Sequence, residues 1–200
     1  MIHPDTELRA VNPQIGLGVF ATRFIPMGTI TYADDALEIR IPGDSPLHDD
    51  PRYRPIIEKY AHLDENNVWT ISWDIARYVN HCCHCNTITT AYGFEIAIRD
   101  IQPGEQITDE YALFEPNCEM ELLCDHPDCR KRIRPDDIER YGDLWDAQIR
   151  AALAHFRHVP QPLLPYLEEP ILSELNHYLE TGEGYRSVRT LACLQRAAAD

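Results

Sequence analysis

The sequence predicts a mainly β protein with some α-helix, followed by a cysteine-bearing segment and a helical C-terminal region. Three observations carry this. Up to about residue 115, short β-prone runs alternate with Gly- and Pro-containing turns. Residues 116–134 are rich in Cys and charge and poor in core formers. From Pro135 the apolar residues adopt three- and four-residue spacing.

Taken in order, Val19-Phe20-Ala21 and Thr29-Ile30-Thr31-Tyr32 read as strands flanking a Pro26-Met27-Gly28 turn. Leu37–Ile41 alternates with period two. Residues 42–50 form a loop. Tyr53, Ile56, Ile57 and Tyr60 then recur at helical spacing, with Pro51 near the start. Val68–Ile71 is β-prone, and Asp74 is placed to cap a short helical turn before Asn80-His81. Thr87–Thr90, Phe94–Ile98 and Ile107–Tyr111 close the β part, with Pro103-Gly104 as a turn. Residues 116–134 need a metal, a disulfide or a partner surface to hold shape. Ile138, Tyr141, Trp145, Ile149, Leu153 and Phe156 then lie on one helical stripe, with Asp136-Asp137 suited to its first turn. Pro160, Pro162 and Pro165 interrupt it, and residues 171–179 and 187–199 read as two further helices.

The 200 residues carry a formal net charge of −15. A surface this acidic repels a phosphate backbone, so direct nucleic-acid binding is not expected and a basic protein partner is. It also serves solubility alone. No apolar run reaches membrane-spanning length and no basic-then-apolar leader opens the chain, so a cytoplasmic location is expected, with nuclear or secreted-effector locations left open. Without an export signal, the seven cysteines point to thiols or metal ligation rather than a disulfide framework.

Four features carry chemistry. Gly16-Leu17-Gly18 is a glycine turn running into a strand, which lets backbone approach a ligand. By itself such a turn is usually a hairpin, and it lacks the third glycine of a dinucleotide fingerprint. Residues 77–86, Arg-Tyr-Val-Asn-His-Cys-Cys-His-Cys-Asn, hold five metal-ligating side chains. Consecutive ligands cannot all reach one tetrahedral ion, and free cysteine is often simply buried. Cys118, Cys124 and Cys129 are spaced unlike the common CxxC knuckle, yet in a core-poor stretch they favour metal, with Cys83 the candidate fourth ligand. Tyr111 ends a short strand, where a tyrosine is usually half-buried packing.

In combination these motifs, with Gly104-Glu105-Gln106-Ile107-Thr108-Asp109-Glu110-Tyr111 and a tail ending in Cys129-Arg130, follow the motif order of the SET domain. The chain resembles SET-type protein lysine methyltransferases over about residues 5–134. The family's central motif, Arg-Phe-x-Asn-His-Ser-Cys-x-Pro-Asn, is matched with Cys82 in place of Ser and Cys85 in place of Pro.

The resemblance implies a SET domain at 5–115 with a helical insert at about 44–68, a post-SET-like zinc segment at 116–134 and a helical extension at 135–200. The fold would be small curved β-sheets around a knot-like core, where the Asn-His and final-tyrosine segments lie side by side. It implies S-adenosylmethionine as methyl donor, held by Gly16, Leu17, Gly18, Asn80 and His81, and Tyr111 as catalytic tyrosine. Tyr32 and Asp109 would line the substrate pocket, Asp109 standing where the family usually has an aromatic residue. Zinc would be held by Cys83, Cys118, Cys124 and Cys129, with Leu122 standing where the family has its first tail cysteine. The implied activity is methyl transfer to a lysine of a histone or other basic protein. The alternatives are a catalytically weak SET-like module that binds a basic peptide, and a zinc-stabilised interaction protein. The helical region offers a surface for a homodimer.

Overall fold

A computed structural model describes residues 1–63, 67–114, 119–124 and 126–191. The strands are short, as turn residues every few positions require. They are β1 Thr6–Ala10, β2 Leu17–Ala21, β3 Ile30–Ala33, β4 Ile39–Pro42, β5 His62–Leu63, β6 Val68–Ile71, β7 Asn80–His81, β8 Thr87–Thr89, β9 Phe94–Ala97, β10 Thr108–Asp109, β11 Met120–Glu121 and β12 Arg132–Ile133. The helices are α1 Arg54–Tyr60, α2 Asp137–Leu153 and α3 Glu169–Thr181.

Among the described residues these form five small sheets: β1-β2, β3-β9-β8, β4-β6-β5, β11-β12 and the two-residue pair β7-β10. All pair antiparallel except β7-β10, which is parallel with Asn80 opposite Thr108 and His81 opposite Asp109. That pair brings the Asn-His segment beside the segment ending in Tyr111. Asn86, fully buried, clamps the crossing: its amide donates to the Gln106 carbonyl at 2.8 Å and its Oδ1 accepts from the Thr108 N–H at 2.9 Å.

Asp74 caps the 3-10 turn Ile75–Tyr78 through the Ala76 N–H at 2.9 Å, which delivers Asn80 and His81 to the crossing. The segment between β4 and β6 holds α1, and it also contributes β5 to a sheet.

The predicted stripe of the long helix is the buried face of α2. Ile138, Trp145, Ile149 and Leu153 share one core with Ile30, Ile88, Phe94 and Ile96 of the β part. This stripe is therefore used within the chain and offers no free dimer surface. Asp146 of α2 accepts from the Tyr185 hydroxyl at 2.9 Å and the Val188 N–H at 3.0 Å, tying the segment after α3 back onto it. The helix expected at 187–199 is described only as far as Leu191.

Candidate active site and thiol cluster

Tyr111 begins a 3-10 turn, Tyr111–Leu113, directly after β10. Its hydroxyl donates to the Val79 carbonyl at 2.7 Å. Two cavities share Tyr111 and Met120 in their walls. The larger, about 310 Å³, is mostly apolar and includes Tyr32, Tyr60, Trp69, Ser72, Glu95 and Phe114. The smaller, about 180 Å³, is lined by Gln14, Ile15, Asn80, His81 and residues 120–123. Burial, followed by the nearby Asp109 and Glu95 carboxyls, holds the Tyr111 phenol above its ordinary range.

The glycine turn supports this groove from behind. Gly16 has φ +86°, open to glycine, and nothing stands within 4 Å of where its side chain would be. The Leu17 carbonyl accepts from Asn80 Nδ2 at 2.9 Å. A Cβ on Gly18 would meet Gln106 Nε2 at 2.6 Å, Val11 Cγ2 at 2.7 Å and Asn80 Nδ2 at 2.9 Å, so only glycine lets Asn80 approach. Gln14 and Ile15, one step earlier in the same turn, reach the groove wall. They carry no motif in the sequence.

His81 is held in one tautomer by its partners. Nδ1 accepts from the Tyr111 N–H at 3.3 Å, so Nε2 carries the proton and faces Cys83 Sγ at 3.4 Å. Burial pushes its pKa below the usual histidine range, against the pull of Glu110. The ring is therefore neutral and couples the groove to the thiols.

Cys83, Cys124 and Cys129 lie with their sulfurs within 4.8 Å of one another, Cys83 to Cys129 at 3.5 Å. Tetrahedral Zn–S bonds of about 2.3 Å set sulfurs roughly 3.8 Å apart, so the three fit a zinc ion. The Lys131 N–H points at Cys129 Sγ at 3.2 Å. Burial opposes ionisation of Cys124, but N–H groups of Cys83 and His126 leave its pKa below the ordinary thiol value. Burial instead pushes Cys83 up to about 12. Cys118 lies outside the described residues. Cys82 Sγ stands 3.9 Å from Cys124 Sγ but lies outside the three-sulfur group, so it would reach a shared ion only by moving. Leu122, at the family's first tail-cysteine position, is buried in the core.

Tyr32 lines the larger cavity with Tyr111, its hydroxyl donating to Glu38 at 2.7 Å. Asp109 is fully buried behind that wall, accepting from Thr89 Oγ1 at 3.2 Å and from the Glu110 N–H. Besides Glu58 of α1, the acid that reaches the cavity is Glu95 of β9. Its signal in the sequence is a carboxylate inside the apolar run Phe94–Ile98.

Glu110, beside Tyr111, is also buried. It forms a two-pronged ion pair with Arg130, whose Nε stands 3.1 Å from Asp137 Oδ2 without hydrogen-bond alignment. Arg130 lies over the Tyr141 and Trp145 rings at 5.5 and 5.9 Å.

Residues 16–112 match the SET domain profile, and over this span the chain belongs to the SET domain family. No curated protein matches the chain. Among solved structures, a candidate histone methyltransferase of Plasmodium falciparum shares 18% identity, over 55% of this chain and 95% of that one, with a TM-score of 0.40. KRYPTONITE, in complex with mCHG DNA and SAH, shares 16% identity over 61% of this chain and 27% of its own, with a TM-score of 0.42. The chain thus spans about a quarter of the KRYPTONITE chain. Among the described residues no helix is long and apolar enough to cross a membrane.

Proposed function

We propose that the chain is an S-adenosylmethionine-dependent protein-lysine N-methyltransferase acting on a basic protein segment. The observation that carries this reading is Tyr111, standing between two cavities within a SET domain. The larger, with aromatic walls, suits a lysine side chain, and the net charge of −15 suits a basic partner.

The cofactor fits the smaller groove by the chemistry of its wall. Asn80, anchored on the Leu17 carbonyl, and neutral His81 offer fixed polar groups beside bare glycine backbone. Gly16, Leu17, Gly18, Asn80 and His81 would hold it, together with Gln14 and Ile15. S-adenosylmethionine, when bound, supplies an electrophilic methyl on a cationic sulfur.

The protein's task is to present a neutral amine. Free lysine has a pKa of about 10.4. A mostly apolar cavity with Lys59 and Arg77 in its wall disfavours its charged form. The Tyr111 proton is committed to the Val79 carbonyl, so the phenol oxygen is free to accept from the amine N–H and aim its lone pair. The thiols of Cys83, Cys124 and Cys129, with Cys118 or Cys82, would bind zinc and pin the tail beside the groove.

Calorimetry with S-adenosylmethionine on zinc-replete protein, followed by radiolabelled methyl transfer to mixed basic proteins, tests the reading. Absence of cofactor binding at millimolar concentration refutes it. Binding without transfer favours the peptide-binding alternative. Tyr111→Phe is expected to lower transfer about 100-fold, the scale of a lost alignment, with cofactor affinity unchanged. Parallel loss of both would make Tyr111 a structural residue.

A further inference from the structure

His84 belongs to the 77–86 window, yet neither the groove nor the thiol cluster uses it. Its partners come from the tail. The His84 and His126 rings stack with centroids 3.4 Å apart and planes 21° from parallel. Asp128 completes the group: ligand atoms of His84, His126 and Asp128 all lie within 4.8 Å of one another. Local turns put them there. The His84 N–H points at Cys82 Sγ at 3.4 Å, which holds the backbone of the window. The Cys129 N–H donates to the His126 carbonyl at 2.9 Å, closing a turn that folds Asp128 back towards His126. The Asp128 N–H reaches His126 Nδ1 at 3.3 Å. The group shares no ligand with Cys83, Cys124 and Cys129. His84 and Asp128 are exposed and His126 is half-buried, so an ion has access from solvent.

We propose that His84, His126 and Asp128 form a second metal site, for a divalent transition ion of the zinc class, that straps the tail to the 77–86 window. Two imidazoles and one carboxylate suit zinc, nickel, cobalt(II) or copper(II), whereas calcium and magnesium take oxygen ligands. Bonds of about 2.0–2.2 Å put the ligand atoms of one tetrahedral ion roughly 3.4 Å apart, so the three side chains draw together only slightly. A metal–nitrogen bond lies in the plane of its ring, so the stacked imidazoles turn apart as the ion enters. An ion on His126 Nδ1 also replaces the long contact with the Asp128 N–H. Three protein ligands leave the remaining positions to water, which makes this site open and weaker than the thiol cluster. Gel filtration therefore empties it and keeps the thiol-bound ion.

The test is direct binding, without turnover. Zinc chloride is titrated by calorimetry into the zinc-replete chain after gel filtration. One further ion per chain is expected to bind and to raise the Tm, because only the folded chain brings the three ligands together. Long-range 1H–15N spectra are expected to show the ring nitrogens of His84 and His126 shifting with that step. His84→Ala is expected to weaken it by about 10- to 100-fold and to remove the rise in Tm, while the thiol-bound zinc stays. Asp128→Asn, which keeps a carbonyl oxygen, is expected to weaken it less. Calcium chloride is expected to give no such step. Absence of a further ion, an affinity unchanged in His84→Ala, or calcium binding as tightly as zinc overturns the proposal. Should the thiol cluster hold no zinc, the same wild-type and His84→Ala comparison on the metal-free chain decides, so the two metal assignments fail separately.

Discussion

Asp109 has no exposed surface, and its neighbours determine how it affects stability. Burial, reinforced by the adjacent Glu110 charge, raises its pKa to about 7, while burial beside Asp109 raises Glu95 well above the carboxylate range. An unfolded aspartate titrates near 3.9. Between roughly that value and 7 the folded chain binds more protons than the unfolded chain, so this contribution to stability is complete at low pH and is lost as pH rises. The slope is at most about 1.4 kcal/mol per pH unit for one group. Buried His81, with its lowered pKa, acts oppositely below about 6.5, because it must charge on unfolding. The difference between wild type and Asp109→Asn isolates the carboxyl. Urea denaturation from pH 5 to 7.5 is expected to show the variant gaining stability relative to wild type as pH rises. A constant difference would mean that Asp109 does not titrate there. Asp109 was legible in the sequence as a departure from an aromatic position. Its partnership with Glu95 was not, because it depends on strand register.

Among the elements, the cysteine tail is the least able to stand alone, and two devices hold it. The first is Arg130, which joins Glu110 of the Tyr111 segment to Asp137 of α2 while covering Tyr141 and Trp145. Its side chain is 13% exposed and that of Glu110 is 2% exposed. Removing one member leaves a buried charge unpaired, so Arg130→Met is expected to cost about 3 kcal/mol by urea denaturation. The double variant Arg130→Met, Glu110→Gln is expected to recover part of that loss. The second device is the thiol cluster. Metal analysis is expected to give about one zinc per chain, lost with Cys124→Ser, and chelation is expected to lower the Tm. Cys118→Ser and Cys82→Ser, compared for retained zinc, identify the fourth ligand. The thiols were visible in the sequence as a spacing. Arg130 was visible only as the residue after Cys129, and its role came from the approach of α2.

At the scale of the molecule, the β part and the helices share one core rather than meeting at a boundary. Phe94 and Phe156 rings stand 6.3 Å apart, and Gln161 bridges to the Gly28 carbonyl at 2.7 Å and the Ile30 N–H at 2.9 Å. A chain ending at Arg134 would expose the apolar faces of β3, β8 and β9 that α2 covers. It is expected to show no cooperative urea transition by circular dichroism. A cooperative transition matching that of the full chain would show that the helices are dispensable. Local order was readable from residues: period-two runs became strands, the Asp74 cap became a 3-10 turn and the apolar stripe became the buried face of α2. Those signals depend on side-chain spacing along the chain, which the sequence contains in full. The parallel meeting of Asn80-His81 with Thr108-Asp109, the sharing of Tyr111 between two cavities and the meeting of His84 with His126 and Asp128 arise between segments distant in the chain. They depend on register and packing, and these are settled when the small sheets close around one core.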